Sequence, residues 1–222
     1  VQNNFDMYKN IFAFDSTVSY TGSIKDHATE FVANFIKAQE DIEGLVLAST
    51  GNMGASEAAG MTFIGKNAHI FLPESTPQWK IAKIEKFGGK VHVVKGNYDQ
   101  AVIQAREFLQ GNKKLIYGGE TVLRLCGNAL IAKIIVDLLE DYPDFIFIPV
   151  GDGAQYYGFV VGFTSLIEKG YLSRAKRLPR LIGVQVDGAN PIYRSFRDRS
   201  GQIRPIVPNP SADAIAIGDP LY

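Results

Sequence analysis

Three short apolar runs, each followed by a segment with helical spacing, constrain this chain more than any other feature. The runs are Gly44-Leu45-Val46-Leu47-Ala48, Ala68-His69-Ile70-Phe71-Leu72 and Val91-His92-Val93-Val94. Runs of this length and composition read as strands buried on both faces. Between and after them lie an alanine-rich stretch ending at Thr62, a stretch opened by Pro77 that carries Ile81, Ile84 and Phe87, and the segment Tyr98 to Leu109. Strand and helix thus alternate three times across short loops. The product of such alternation is a parallel sheet covered by helices.

The rest of the chain repeats the pattern less regularly. Ile11 to Phe14 reads as a short strand, and a first helix is expected to run to about Gln39. Lys114 to Tyr117 is another strand, followed by a helix from Thr121 or Leu123 to Leu139. Phe145 to Val150 is the most buried-looking strand of all; a helix ending near Ile167 and a strand over Leu181 to Val186 follow, and the tail from Ser195 is polar. The expected fold class is α/β, built on two three-layer open sheets, parallel or mixed. A small mobile domain over 44–110 is expected to be inserted into a large one formed by 1–43 and 111–222.

Composition narrows the function classes. Lys+Arg and Asp+Glu balance at 23 each, so bulk charge points to no nucleic-acid or membrane-surface partner. No apolar run is long enough to cross a bilayer. The single cysteine, Cys126, fits a reducing compartment, so a cytoplasmic location is expected. His27, His69 and His92 lack metal-ligand spacing, and no metal is expected.

Three stretches could carry chemistry. Ser23-Ile24-Lys25-Asp26 opens the first helix, with Ser23 and Asp26 at capping-box spacing. Lys25 then stands in the first turn, where the helix dipole disfavours a charged amine, and a neutral amine is what Schiff-base chemistry needs. Ser49 to Gly54 follows the first apolar run, where glycines allow close backbone approach and Asn52 offers a donor and an acceptor. The plain alternative is a strand–helix turn capped by Ser or Asn. Gly151-Asp152-Gly153-Ala154-Gln155 lies between a strand and a helix, where backbone N–H groups can surround a phosphate. The charge of Asp152 opposes a phosphate unless its side chain turns away. Neither loop has the dinucleotide spacing Gly-x-Gly-x-x-Gly. Arg124, near a helix start, reads as an anion clamp or a surface ion pair.

Taken together, these stretches resemble the pyridoxal-phosphate enzymes of fold type II, the tryptophan synthase β family, and within it the threonine synthases. Thr21-Gly22-Ser23-Ile24-Lys25-Asp26 resembles the cofactor-lysine motif, Ser49-Thr50-Gly51-Asn52 the loop whose asparagine lies against the pyridoxal ring oxygen, and Pro149 to Gln155 the loop that holds the cofactor phosphate. Lys83 to Val91, Val94 to Asp99, Ile182 to Ile192 and Ala214 to Pro220 are similar to further stretches of that family.

The resemblance implies pyridoxal 5'-phosphate as cofactor and Lys25 as the catalytic residue that carries it. Asn52 and Gly151, Asp152, Gly153, Ala154 and Gln155 complete the implied cofactor site. Ser49, Thr50, Gly51 and Met53 would hold the carboxylate of an amino acid substrate, and Arg124 the leaving phosphate. The implied activity is conversion of O-phosphohomoserine and water to threonine and phosphate, by a homodimer. Met53, Asp152, Gln155 and Gly118-Gly119-Glu120 depart from the family pattern, several at positions that hold substrate phosphate. The family's opening and closing segments are missing too, which implies a fragment, disordered ends or a truncated homologue. Two alternatives stay open: a threonine or serine dehydratase of the same family, and a non-catalytic relative that binds an amino acid or a partner protein.

Overall fold

The computed structural model describes residues 10–119, 121–172, 177–209 and 212–220. Glu120, one of the departures noted above, lies outside the described residues. The described chain divides into two compact units, one up to Gly127 and one from Asn128 onward.

The first unit opens with α1 (Lys25–Lys37) and continues through β1 (Gly44–Ala48), α2 (Asn52–Phe63), β2 (Asn67–Pro73), α3 (Gln78–Lys86), β3 (Lys90–Val94), α4 (Tyr98–Gln110) and β4 (Leu115–Tyr117). Its four strands form one sheet in the order β3-β2-β1-β4, parallel throughout. Alternation along β1 divides the core. Leu45 and Leu47 pack with Val32, Ile36, Ala55, Met61 and Ile84 from α1, α2 and α3. Val46 and Ala48 pack with Phe71, Val94, Ala101 and Ala105, on the face covered by α4. Three layers result, with the central strand β1 wholly buried.

The pairing of β4 with β1 corrects the expected domain boundary near residue 110. Gly44, Leu45 and Val46 register with Leu115, Ile116 and Tyr117, so β4 belongs to the sheet of the first unit. The helix α1 packs on α2 and belongs to that unit as well. Ile11 to Phe14 is no strand; a single bridge residue stands at Ala13.

The helix α5 (Val122–Leu139) crosses the division between units. The second unit then contains β5 (Phe145–Pro149), α6 (Ala154–Glu168), β6 (Arg180–Val184) and α7 (Pro191–Asp198). The strands β5 and β6 pair in parallel, and α6 packs on both. Helices α5 and α6 approach closely at small residues: a Cβ on Gly162 would stand 2.3 Å from the Ala129 carbonyl oxygen. The strand β5 is less buried than its composition suggests, with Phe147 68% exposed. Among the described residues its sheet has two strands with α6 packed on them, and Phe145, Phe147 and Pro149, alternate residues on one face of β5, are exposed. The helix α7 was not expected either, although Asn190-Pro191 is a helix-start signal with proline at the first helical position.

Candidate functional site

Lys25 is the first residue of α1, as its sequence position predicts, and is half-buried. What precedes it differs from a capping box. The N-cap residue is Ile24, which has no side-chain cap to offer. Asp26 does not reach back to the Ser23 N–H, which donates to Ser19 Oγ at 3.0 Å instead. The Asp26 carboxylate accepts from the Thr21 N–H at 2.7 Å, the Thr21 hydroxyl at 2.6 Å and the Ser19 hydroxyl at 2.7 Å. Gly22, at φ +74°, supplies the left-handed turn that folds these donors over the carboxylate. Burial alone would lift the Asp26 carboxyl, but hydrogen bonds from Thr21, Ser56 and Ser19 outweigh it and hold the group below its ordinary range.

The second stretch joins β1 to α2. Ser49 is buried, and its hydroxyl accepts the Gly54 N–H at 2.9 Å and the Gly51 N–H at 3.4 Å. The N-cap of α2 is Gly51, which has no side-chain cap, so Ser49 serves N–H groups of the helix start from two residues before it, and the helix begins at Asn52, inside the expected loop. The two glycines differ in use. A Cβ on Gly54 would press on Ile70, Ile84 and Ser49, whereas one on Gly51 would meet nothing within 4 Å. The backbone at Gly51 is thus open to an approaching group. Asn52 is exposed, and its Oδ1 accepts from Lys83 Nζ at 3.2 Å. Thr50 and Met53 are half-buried beside it.

The third stretch lies in the second unit. Gly153 is the N-cap of α6 at φ +94°, a conformation that only glycine adopts without strain. Asp152 Oδ1 accepts the Ala154 N–H at 3.0 Å, so the carboxylate is turned onto the first turn of its own helix. Gln155 follows in that turn, half-buried. A Cβ on Gly151 would stand 3.2 Å from Ile217, close to the segment that ends the described chain.

Arg124 is neither exposed nor in a surface pair. It lies in the first turn of α5, 6% exposed, and its guanidinium bonds to the Glu57 carboxylate of α2 and to Thr29 Oγ1 of α1 at 3.5 Å. Ser56 Oγ stands 2.8 Å from the same Thr29 oxygen. Glu57 is fully buried. Burial pushes its carboxyl up while Arg124 pulls it back. Sequence reasoning missed Glu57; the signal available was one charge inside the otherwise small and apolar run Ala55-Ser56-Glu57-Ala58-Ala59.

The profile of a family described as "pyridoxal-phosphate dependent enzyme" matches residues 8–221. The chain belongs to that family. Among curated proteins it is similar to the threonine synthase of Methanocaldococcus jannaschii, 34% identical over 96% of this chain and 52% of the relative. It is also similar to the threonine synthase of Synechocystis sp., 30% identical over 90% of this chain and 50% of the relative. The chain therefore spans about half the length of the curated relatives it matches. Among solved structures, a processed threonine deaminase isoform 2 from Solanum lycopersicum superposes with a TM-score of 0.75 at 24% identity, over 92% of this chain and 57% of that one. A serine racemase from Dictyostelium discoideum gives 0.77 at 21% identity, over 93% and 63%. These likenesses establish the fold, fold type II of the pyridoxal-phosphate enzymes.

Each unit, taken by itself, carries groups of the chemistry that the family's cofactor takes. A primary amine stands at the mouth of α1, an open glycine backbone at the mouth of α2, and a left-handed glycine at the N-terminus of the 15-residue α6. The donor set is one amine for a carbonyl and helix N-terminal N–H groups for a phosphate. The Asp152 carboxylate is held on Ala154.

Proposed function

We propose that this chain is the lysine-bearing part of a pyridoxal-phosphate lyase of threonine synthase type. The observation that carries this reading is the built turn around Lys25, in which an ionised Asp26 closes residues 19–23 directly before the amine. Similarity to threonine synthases over 90–96% of the chain supports the choice of reaction. The substrate would be an amino acid, O-phosphohomoserine. The bond from its γ-carbon to the phosphate oxygen would break with the electron pair leaving on phosphate. The β-carbon would lose a proton and take the hydroxyl of water, the γ-carbon would gain a proton, and the second proton of the water would end on phosphate, leaving threonine and phosphate.

When bound, pyridoxal phosphate supplies an electron sink for charge developing at the substrate's α-carbon. The chain supplies the rest. Lys25 would hold the cofactor, and its free amine would take and return protons. Backbone N–H groups of the Ser49–Met53 stretch, at the N-terminus of α2, receive the substrate carboxylate. Asn52 would serve the ring oxygen, and Gly151 to Gln155 would hold the cofactor phosphate. On the same reading the protein works as a homodimer in the cytoplasm.

One observation favours a second reading, a threonine or serine dehydratase. The charge of Arg124 is matched by Glu57 in the interior, so the expected grip on a leaving phosphate has no spare cation behind it. A substrate without phosphate needs none.

The test begins with an absorbance spectrum of the protein with added pyridoxal phosphate, before and after borohydride, beside Lys25→Ala. A band that borohydride fixes onto Lys25 supports the site, and turnover of phosphohomoserine supports the synthase. Turnover of threonine without phosphohomoserine selects the dehydratase. A protein that stays colourless is the non-catalytic relative.

A further inference from the structure

The first turn of α1 lacks the device that ordinarily holds a helix start. Ile24, its N-cap, makes no side-chain bond, and an uncapped helix end frays within its first turn. Lys25 is in that turn, yet its backbone is bracketed on both sides. Its own N–H lies 3.3 Å from Ser23 Oγ, and the Asp26 N–H donates to the Ser23 carbonyl at 3.1 Å. Ser23 is tied in turn to Ser19 Oγ, and Thr21 places its N–H and its hydroxyl on the Asp26 carboxylate; the Ser19 hydroxyl is a third donor within reach, its one proton shared with the Ser16 and Ser23 carbonyls. Residues 19–23 form a loop closed on Asp26, with Lys25 on its rim.

We propose that Asp26 is the positioning residue for Lys25. It holds the uncapped start of α1 by accepting from Ser19 and Thr21, and so fixes the point from which the amine reaches its carbonyl partner. Bonds to an ionised acceptor are the strong ones, and both from Thr21 converge on this single carboxylate, with the Ser19 hydroxyl within reach. Although burial raises it, hydrogen bonds hold the Asp26 carboxyl below its ordinary range, which favours the ionised acceptor. One turn further on, α1 is tied to α2 through Thr29 and Ser56. Ser56 also lies against Asp26, and its one hydroxyl proton serves Thr29 or Asp26 at a time. Asp26 need not touch the cofactor; it acts through the backbone it holds. The inference rests on the reading of Lys25 as the cofactor lysine.

The experiment mixes the purified protein with pyridoxal 5'-phosphate, fixes adducts with borohydride at timed intervals, and counts modification at each lysine by peptide mass. Wild type is compared with Asp26→Asn and with the pair Ser19→Ala/Thr21→Val, which removes the hydroxyl donors and leaves the carboxylate. Circular dichroism melts establish that each is folded at the labelling temperature. Both variants are expected to modify Lys25 on the order of tenfold more slowly, since small misplacements of a reacting group are costly. The exposed Lys90 is expected to label at the wild-type rate in all three, which a general loss of stability would not produce. Should Asp26→Asn not fold, the Ser19→Ala/Thr21→Val pair decides alone. Folded variants that label Lys25 at the wild-type rate overturn the positioning role while leaving the site reading intact. A wild-type Lys25 that labels no faster than Lys90 overturns both.

Discussion

The guanidinium of Arg124 bonds to the carboxylate of Glu57 in the interior of the first unit, joining the first turn of α5 to the middle of α2. Only one carboxylate oxygen is served. Glu57 Oε2 is buried without a hydrogen-bond partner among the described residues. A buried ion pair is a poor source of net stability, because desolvating both charges cancels most of their attraction. Breaking it is another matter, since the survivor is then a buried charge without a counter-charge.

Single replacement of either member, Glu57→Leu or Arg124→Met, should therefore cost about 3–5 kcal/mol. The double variant should recover most of that loss, because it removes both desolvation penalties at once. Urea unfolding of the four proteins in a double-mutant cycle measures this. Costs that simply add would mean the two side chains do not depend on each other.

His69 and His92 stack across β2 and β3, with Nδ1 of one 3.0 Å from Nε2 of the other and Phe71 and Phe108 against the rings. Burial holds both imidazoles below the ordinary 6.5; His92 and Lys90 add to the effect at His69, and Lys90 adds to it at His92. A base whose folded pKa is depressed takes up its proton more readily when unfolded. Its contribution is thus present above the unfolded pKa and lost as pH falls below it. The urea midpoint should drop between about pH 7.5 and about pH 5.5, and His92→Phe, which keeps a ring in place, should flatten the slope. An equal slope in that variant would assign the pH dependence elsewhere.

Lys66 Nζ donates to the carbonyls of Ile36 at 3.1 Å and Gln39 at 2.7 Å, and to that of Ile42. The ammonium thus closes the C-terminus of α1 and the turn that leads into β1. Carbonyls at a helix end carry partial negative charge that a cation offsets. Lys66→Met should lower stability by about 1–3 kcal/mol, read as a shift in the urea midpoint at constant slope. A midpoint within error of wild type would show that water replaces the ammonium at no cost.

The strands β1, β2 and β3 were legible because each is an apolar run bounded by turns, and burial on both faces demands such a run. The reactive stretches were legible for a related reason. A lysine at a helix start, and glycines between a strand and a helix, are local patterns, and Lys25, Gly51 and Gly153 stand where those patterns put them. Local patterns misled at Asp26. Its three-residue spacing from Ser23 suggested a bond back to that residue, while the left-handed Gly22 brings Ser19 and Thr21 within reach first.

By itself, the sequence determined the alternation of strand and helix, hence an α/β fold, and the residue types at the mouths of α1, α2 and α6. Tertiary structure alone decided that β4 joins the sheet of β1, that β5 keeps an exposed face, and that Arg124 meets Glu57. Each of these depends on partners far apart in the chain. The polar links among Thr29, Ser56, Glu57 and Arg124 span 27, 67 and 95 positions. Spacing along a chain reports which side chains share a helix or strand face. Which faces then meet is set by packing, because only packing removes water from between them.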